Sequence, residues 1–382
     1  MMKTKPLILL LAVLIFSCSE DKTSGENQTK NILEGLTYKV DTVVVDPGEE
    51  LLNLQWGLRL AGLNESKSKI FLLNEVNTTL AEIDLDALKL AEIHQLEKEG
   101  PNGIGEYISD LSVLGGDRFM LSSFRSSGIF NTSGEKLADL NFSPKEIEGI
   151  ESDDDMPMTN GLTINAEGTK AFALPGNFFE GTRDLAVVDV ASKTGKLIDI
   201  PAMDIAGDFR IVLKSDEMMS VYVEEVEITP ILDKFYITTS VSSDIYRYDP
   251  KLDSLELFSF TPTLFPSVKS GTVKNEVSSQ EEFESEMQKL STQVGFEKLL
   301  WDEESSRFYR FARKFYPRED EEAPRKVDVF LMALDKDLNL IGEIQLDDLK
   351  SVPSYPFFKD GELWSYVNVE DELGFAVFTF DF

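Results

Sequence analysis

A short apolar strand that opens on a charged residue recurs along the chain. It appears at Lys69-Ile70-Phe71-Leu72-Leu73, Arg118-Phe119-Met120-Leu121, Lys170-Ala171-Phe172-Ala173-Leu174, Lys234-Phe235-Tyr236-Ile237, Arg307-Phe308-Tyr309 and, with the charge inverted, Glu362-Leu363-Trp364. Turn residues precede the openings, as in Asn165-Ala166-Glu167-Gly168 and Lys359-Asp360-Gly361. Downstream of each, a second strand runs into an Asp or Asn: Ile83-Asp84, Phe130-Asn131, Val188-Asp189, Tyr248-Asp249, Leu334-Asp335 and Phe380-Asp381. The spacing is longest between Arg307 and Asp335, where a charged stretch from Tyr316 to Lys326 is inserted. A turn and a further short strand follow the Asp or Asn, as in Gly134-Glu135-Lys136-Leu137-Ala138-Asp139-Leu140.

A four-strand unit repeated at intervals of roughly fifty residues predicts an all-β, six-bladed β-propeller, because one such sheet cannot cover both of its own faces. An array of β-sandwiches is the alternative, since sandwiches also show short strands at regular spacing. The sixth copy stops after its third strand, at Phe382, whereas Leu36 to Val45 is a strand-like run with no blade of its own. That run is expected to supply the missing outer strand, closing the ring and covering an open sheet edge. One segment departs from the pattern. Ser279-Gln280-Glu281-Glu282 is a capping box, and Phe283, Met287, Leu290 and Val294 follow at helical spacing, so one amphipathic helix is expected between the fourth and fifth blades.

Ahead of the repeats stands Lys3 and Lys5, an apolar run from Pro6 to Phe16, and Ser17-Cys18-Ser19-Glu20-Asp21. A basic start, an apolar segment too short to span a bilayer and a small residue before the cut describe a secretory signal. Ile15-Phe16-Ser17-Cys18 resembles a bacterial lipobox, which makes Cys18 the lipidated first residue of the mature chain. The expected organisation is a signal peptide over residues 1–17, a lipidated flexible tether over 18–35 and the propeller over 36–382. The tether carries few large apolar groups and would span about 20–25 Å if flexible.

With Cys18 the only cysteine, the mature chain has no disulfide and no thiolate metal site. A formal net charge of -32 repels nucleic acid and anionic headgroups, so contact with the membrane is expected through the acyl anchor only. The same acidity also keeps an extracytoplasmic protein soluble without any further role. A protein, peptide or glycan is the kind of partner left.

Candidate chemistry is sparse. His94 is the only histidine, and the alternation of Ala91-Glu92-Ile93-His94-Gln95-Leu96 puts it on the polar face of an outer strand. The sequence holds no Gly-x-Ser-x-Gly elbow. Trp301-Asp302 falls on a first strand, where a propeller WD dipeptide does not belong. Asp153-Asp154-Asp155 lacks the spacing of a Ca²⁺ loop and reads as a solvated acidic turn. Arg307, Tyr309, Arg310, Arg313 and Tyr316, with Lys314 and Arg318, form a basic and aromatic cluster suited to an anionic ligand or glycan. Pairing of that cluster with Glu319, Asp320, Glu321 and Glu322 is the structural alternative. Asp110, Asn160 and Glu227, on inner strands, are the oxygen ligands that a channel cation such as Ca²⁺ would use; no other cofactor is expected.

The lipobox, the length, the six-blade spacing and the turn Gly100-Pro101-Asn102-Gly103-Ile104-Gly105 together resemble uncharacterised six-bladed β-propeller lipoproteins of Bacteroidota, known as a domain of unknown function. Ser19-Glu20-Asp21 also resembles the export signal of that phylum. The resemblance implies a lipid-anchored protein of the outer membrane facing the cell exterior, and brings no catalytic residues. Two functions follow: a propeller that binds a ligand or a protein partner, or an extracytoplasmic metal-dependent hydrolase or lactonase working in the channel.

Overall fold

Why an Asp or Asn ends the third strand of the first five repeats is visible in the computed structural model of the chain, which describes residues 31–152, 158–176, 181–214, 219–317 and 324–381. Asp84 Oδ1 accepts the backbone N–H groups of Asp86 and Ala87 at 2.9 and 2.8 Å. Asp249 does the same for Lys251 and Leu252, and Asp335 for Asp337 and Asn339. Asn131 accepts from Glu135, and Asp189 from Ser192. Each side chain thereby builds the turn from the third strand to the fourth. The opening base lies across the strand pair from it: Lys69 is opposite Asp84, Arg118 opposite Asn131 and Lys170 opposite Asp189.

The described residues form six four-stranded antiparallel sheets and one three-stranded sheet. The first runs Ala61–Leu63, Lys69–Asn74, Thr79–Asp84, Lys89–Gln95, and the second Ile108–Leu114, Arg118–Ser123, Ser127–Asn131, Lys136–Asp139. The third begins at Thr163–Ile164, the fourth at Val226–Ile231 and the fifth at Val294–Asp302. In the sixth, Phe357–Lys359, Glu362–Val369 and Glu372–Asp381 are joined by Thr37–Val44, which pairs antiparallel with the last strand from Thr37 opposite Asp381 to Val44 opposite Gly374.

Strand alternation divides the core. Phe71 and Leu73 face the second sheet, packing with Leu111 and Phe119, while Ile70 and Leu72 face the sixth, packing with Trp364 and Phe375. Met120 and Ile129 meet Ile164 and Ala173 of the third sheet, and Phe172 stacks on Phe235 of the fourth with centroids 3.7 Å apart. Tyr236 and Ile245 meet Phe308 and Phe330 of the fifth, and Tyr309 stacks on Phe358 of the sixth. Each such aromatic contributes about 2–3 kcal/mol of burial.

The helix expected from the capping box spans Gln280–Ser291, with the Ser279 hydroxyl accepting from Glu282 N–H. Glu282 reaches Ser278 N–H instead of the cap residue, and Val294 belongs to the next strand, not the helix. Phe283, Met287 and Leu290 pack on Val241 and Val277. The helix adjoins the seventh sheet, Met219–Tyr222, Ile211–Lys214 and Glu276–Val277, whose last pairing is parallel. A buried ion pair, Glu224 with Lys269, ties this region to the fourth sheet, and Ser240 Oγ donates to the same carboxylate at 2.5 Å. Asn31 to Leu36, read from the sequence largely as tether, lie against the fifth and sixth sheets: Asn31 hydrogen-bonds both backbone groups of Glu343, and Leu33 is fully buried. Cys18, Asp153 to Asp155 and Glu319 to Glu322 lie outside the described residues.

The turn carboxylates make stability depend on acid. Burial pushes Asp249 up, but the N–H groups of Leu252 and Lys251 and the Lys234 ammonium bring it below the usual carboxylate range; Asp335 is held low in the same way by Asn339 and Asp337. A carboxylate depressed in the native state contributes stability that is present above its unfolded pKa and lost as pH falls through the native one. Asp184 works oppositely, raised by burial and by Asp199 and Asp204. The depressed group is the larger set, so the urea midpoint should fall as the pH drops below about 4. Urea melts of Asp249→Asn, which keeps the turn acceptor but cannot titrate, should show a smaller fall; an identical pH profile would refute the assignment.

Candidate functional site

In a sheet whose strands run antiparallel in chain order, the turn between second and third strands and the crossover to the next sheet share one end. Three groups lock that end of the first two sheets together. Glu75, in such a turn, accepts Ile108 N–H at 2.8 Å and Arg59 Nη2 at 3.1 Å, and Arg59 Nη1 donates to Ile108 O at 3.1 Å. Arg59 precedes the first strand of sheet one and Ile108 starts sheet two, so all of these lie on one face.

Among the described residues, three aromatic side chains are more than half exposed, Trp56 at 71%, Tyr107 at 84% and Phe124 at 68%. All three stand here. Trp56 lines a cleft of about 90 Å³ with Asn53, Gln55, Arg59, Glu75 and Val76, and Val76 is itself 80% exposed. Ile108 pairs with Ser123, which sets Tyr107 and Phe124 side by side just beyond the strand ends. The glycine turn Gly100 to Gly105 delivers Tyr107. Gly103 N–H returns to Gly100 O, Ile104 and Gly105 return to Glu97 and Lys98, and Lys98 pairs with Glu106 at 2.8 Å. A Cβ on Gly103 would meet the Glu99 backbone at 2.8 Å, so the fold-back needs glycine there. Tyr107 has a φ of 57°, a conformation that bulky side chains adopt at a cost.

Of the proposed cation ligands, Asp110 accepts from Ser112 Oγ at 3.0 Å, and Glu227 is paired with Lys298 at 3.1 Å. Glu227 raises the Lys298 ammonium above its usual range, with Glu225 and Asp110 adding to it. Asn160 donates to Leu174 O and is not joined to them. Glu82, Glu92 and His94 form the one group of three acidic or histidine ligands near enough to share an ion among the described residues; His94 Nε2 already lies 2.9 Å from Glu82 and Lys69 2.6 Å from the same carboxylate.

The basic and aromatic cluster of the fifth sheet is not one site. Tyr309 is buried against Phe358, and Arg310 is buried toward the fourth sheet. Arg313 pairs with Glu297, and Tyr316 donates to Asp328 at 2.6 Å. Arg307 stands opposite Asp302 at the first turn of the sheet. Period-two alternation sends odd and even members to opposite faces. Trp56, Tyr107, Phe124 and Lys298 carried no motif; the signal for the aromatics was their place in polar turns, outside any alternating run.

The family model described as Domain of unknown function (DUF4221) matches residues 29–345. A family member from Bacteroides vulgatus is similar in structure, with 16% identity, a TM-score of 0.63, and 91% of this chain and 98% of that one covered. A putative exported protein from Bacteroides fragilis is similar at 9% identity and a TM-score of 0.51, covering 90% and 96%. Both likenesses show the fold. No curated protein matches the sequence. Among the described residues, no helix is long and apolar enough to cross a membrane.

Proposed function

The chain belongs to the DUF4221 family, and from that premise we propose that it is a lipid-anchored recognition protein of the outer membrane, a six-bladed propeller closed by Thr37–Val44 that presents its crossover face to the cell exterior. The observation that carries the recognition role is the gathering of Trp56, Tyr107 and Phe124 on one face. Exposed apolar side chains scattered singly need no explanation, but aromatics gathered on one face mark an interaction surface. The ring is supported by apolar clusters that join each four-stranded sheet to the next and the sixth to the first. The described residues begin beside Ile341 and Glu343, and Thr37 lies at the end of its strand away from the crossover face. Lys298 supplies at Glu227 the positive charge that a channel cation would otherwise bring.

Two measurements test this. A variant with Trp56→Ser, Tyr107→Ser and Phe124→Ser should melt within about 2 °C of the natural protein, since surface changes away from packing cost little; a loss above that would make the aromatics structural and remove the recognition role. Cys18→Ala should leave the protein uncleaved by lipoprotein processing and without acyl mass. A signal-cleaved Cys18→Ala protein that stays membrane-bound and partitions into detergent would defeat the anchor.

A further inference from the structure

We propose that the cleft beside Trp56 binds a neutral glycan chain; this rests on the crossover face being the recognition surface. The argument starts from charge. Although the whole chain carries -32, the two charged groups that line this cleft neutralise each other, because Glu75 holds Arg59 and the Ile108 backbone together. A cationic peptide finds no uncommitted carboxylate in the cleft, and the acidic surface around it repels a polyanion. What the cleft offers is flat aromatic faces and neutral amides. Gln55 is exposed beside Trp56, and Asn53 is held in place by Asn74 and by Gln55 N–H.

Those groups match a pyranose ring. Its C–H face lies on an aromatic ring, and its hydroxyls, each donor and acceptor, pair with the amides of Asn53 and Gln55. At about 90 Å³ the cleft holds only an edge of one sugar, so the rest of the chain extends out of it over the same face, where Tyr107 and Phe124 are exposed. Rigid turns fix all three platforms: a Cβ on Gly57, next to Trp56, would press Tyr366 at 3.1 Å, Ser123 Oγ accepts the N–H groups of Arg125 and Ser126 at 3.3 and 3.1 Å around Phe124, and the glycine fold-back sets Tyr107. A protein partner needs about 800 Å² per side around an apolar centre, more than four side chains around a shallow cleft provide.

Trp56 is itself the reporter, because Trp364 is buried and Trp301 lies in a strand packed on Phe308. Acrylamide quenching of tryptophan emission should be measured on the full chain alone and with neutral hexasaccharides of glucose, mannose, xylose and galactose, alongside binding to an array of neutral glycans. At least one neutral glycan should bind and lower the quenching constant about twofold, and Trp56→Ala should abolish both effects with its melting temperature unchanged. No binding by any neutral glycan, or protection by polygalacturonate equal to that by the neutral series, would overturn the proposal. So would a purified protein partner whose binding Trp56→Ala abolishes and no glycan competes. The triple serine variant's stability tests the recognition surface separately, so either idea can fail alone.

Discussion

Deleting residues 36 to 45 should turn the protein insoluble or strongly destabilise it. The deletion removes the eight-residue strand Thr37–Val44, whose partner Glu372–Asp381 would then present an unpaired edge through Gly374-Phe375-Ala376-Val377-Phe378-Thr379-Phe380, a run without charge. An apolar edge of that composition pairs with other copies of itself. Val43 and Tyr38 go with it, the first from the core between first and sixth sheets and the second from its contact with Phe378. Truncation before Asn31 should leave melting unchanged. The sequence extends that tolerance to Gly35, but Leu33 is fully buried and Asn31 bonds Glu343, so removal of 31–35 should cost on the order of 2–4 kcal/mol. Solubility, a cooperative melt and size-exclusion profiles of the deletions decide the matter; a soluble 36–45 deletion with unchanged melting temperature would overturn the closure.

Arg310→Ala should be the most damaging single substitution in the fifth sheet. The guanidinium is 1% exposed, and its hydrogen bonds go to carbonyls: Nε to Glu297 at 2.8 Å, Nη1 to Ser242 and Ser243 at 3.2 and 3.1 Å, and Nη2 to Thr239 at 2.7 Å. One fork thus ties the bulge at Glu297 to a turn of the fourth sheet, with Phe296 stacked on it at 5.1 Å. Burial pushes its pKa down to about 10, so the group stays charged at neutral pH, and Glu227 and Asp244 help hold the charge. Alanine leaves those carbonyls buried without a donor, which costs on the order of 3–5 kcal/mol. Lysine keeps the charge but not the planar fork and should recover only part of it. Urea unfolding measures both, and an alanine variant within about 1 kcal/mol of the natural protein would refute the role.

The Arg310 case also shows where reading the chain by type goes astray. Arg307, Tyr309, Arg310, Arg313 and Tyr316 look like one site when only composition is weighed. The period of two already divides them, and burial then makes Tyr309 and Arg310 parts of two different cores. The seventh sheet had no such signal, since Ile211–Lys214 and Glu276–Val277 are far apart in sequence and pair in parallel through two residues only. Local patterns cannot reveal a pairing that short.

What the sequence determined by itself was the repeat and its turns, the capped helix and the family. Each depends on neighbours within a few residues: an Asp or Asn bonding the next N–H groups, a base opposite it, Ser279 over Glu282. The pairing of Thr37–Val44 with Glu372–Asp381 was legible too, because a strand-like run without a blade of its own stood ahead of the repeats. Tertiary structure alone decided which polar groups meet. Lys298 and Glu227 come from different sheets, Arg59 and Glu75 are braced through Ile108 of the next sheet, and Tyr107 and Phe124 become neighbours through strand register. Those contacts depend on how separate sheets are set against each other, and that is fixed by the packing of apolar faces whose patterns are alike in every repeat.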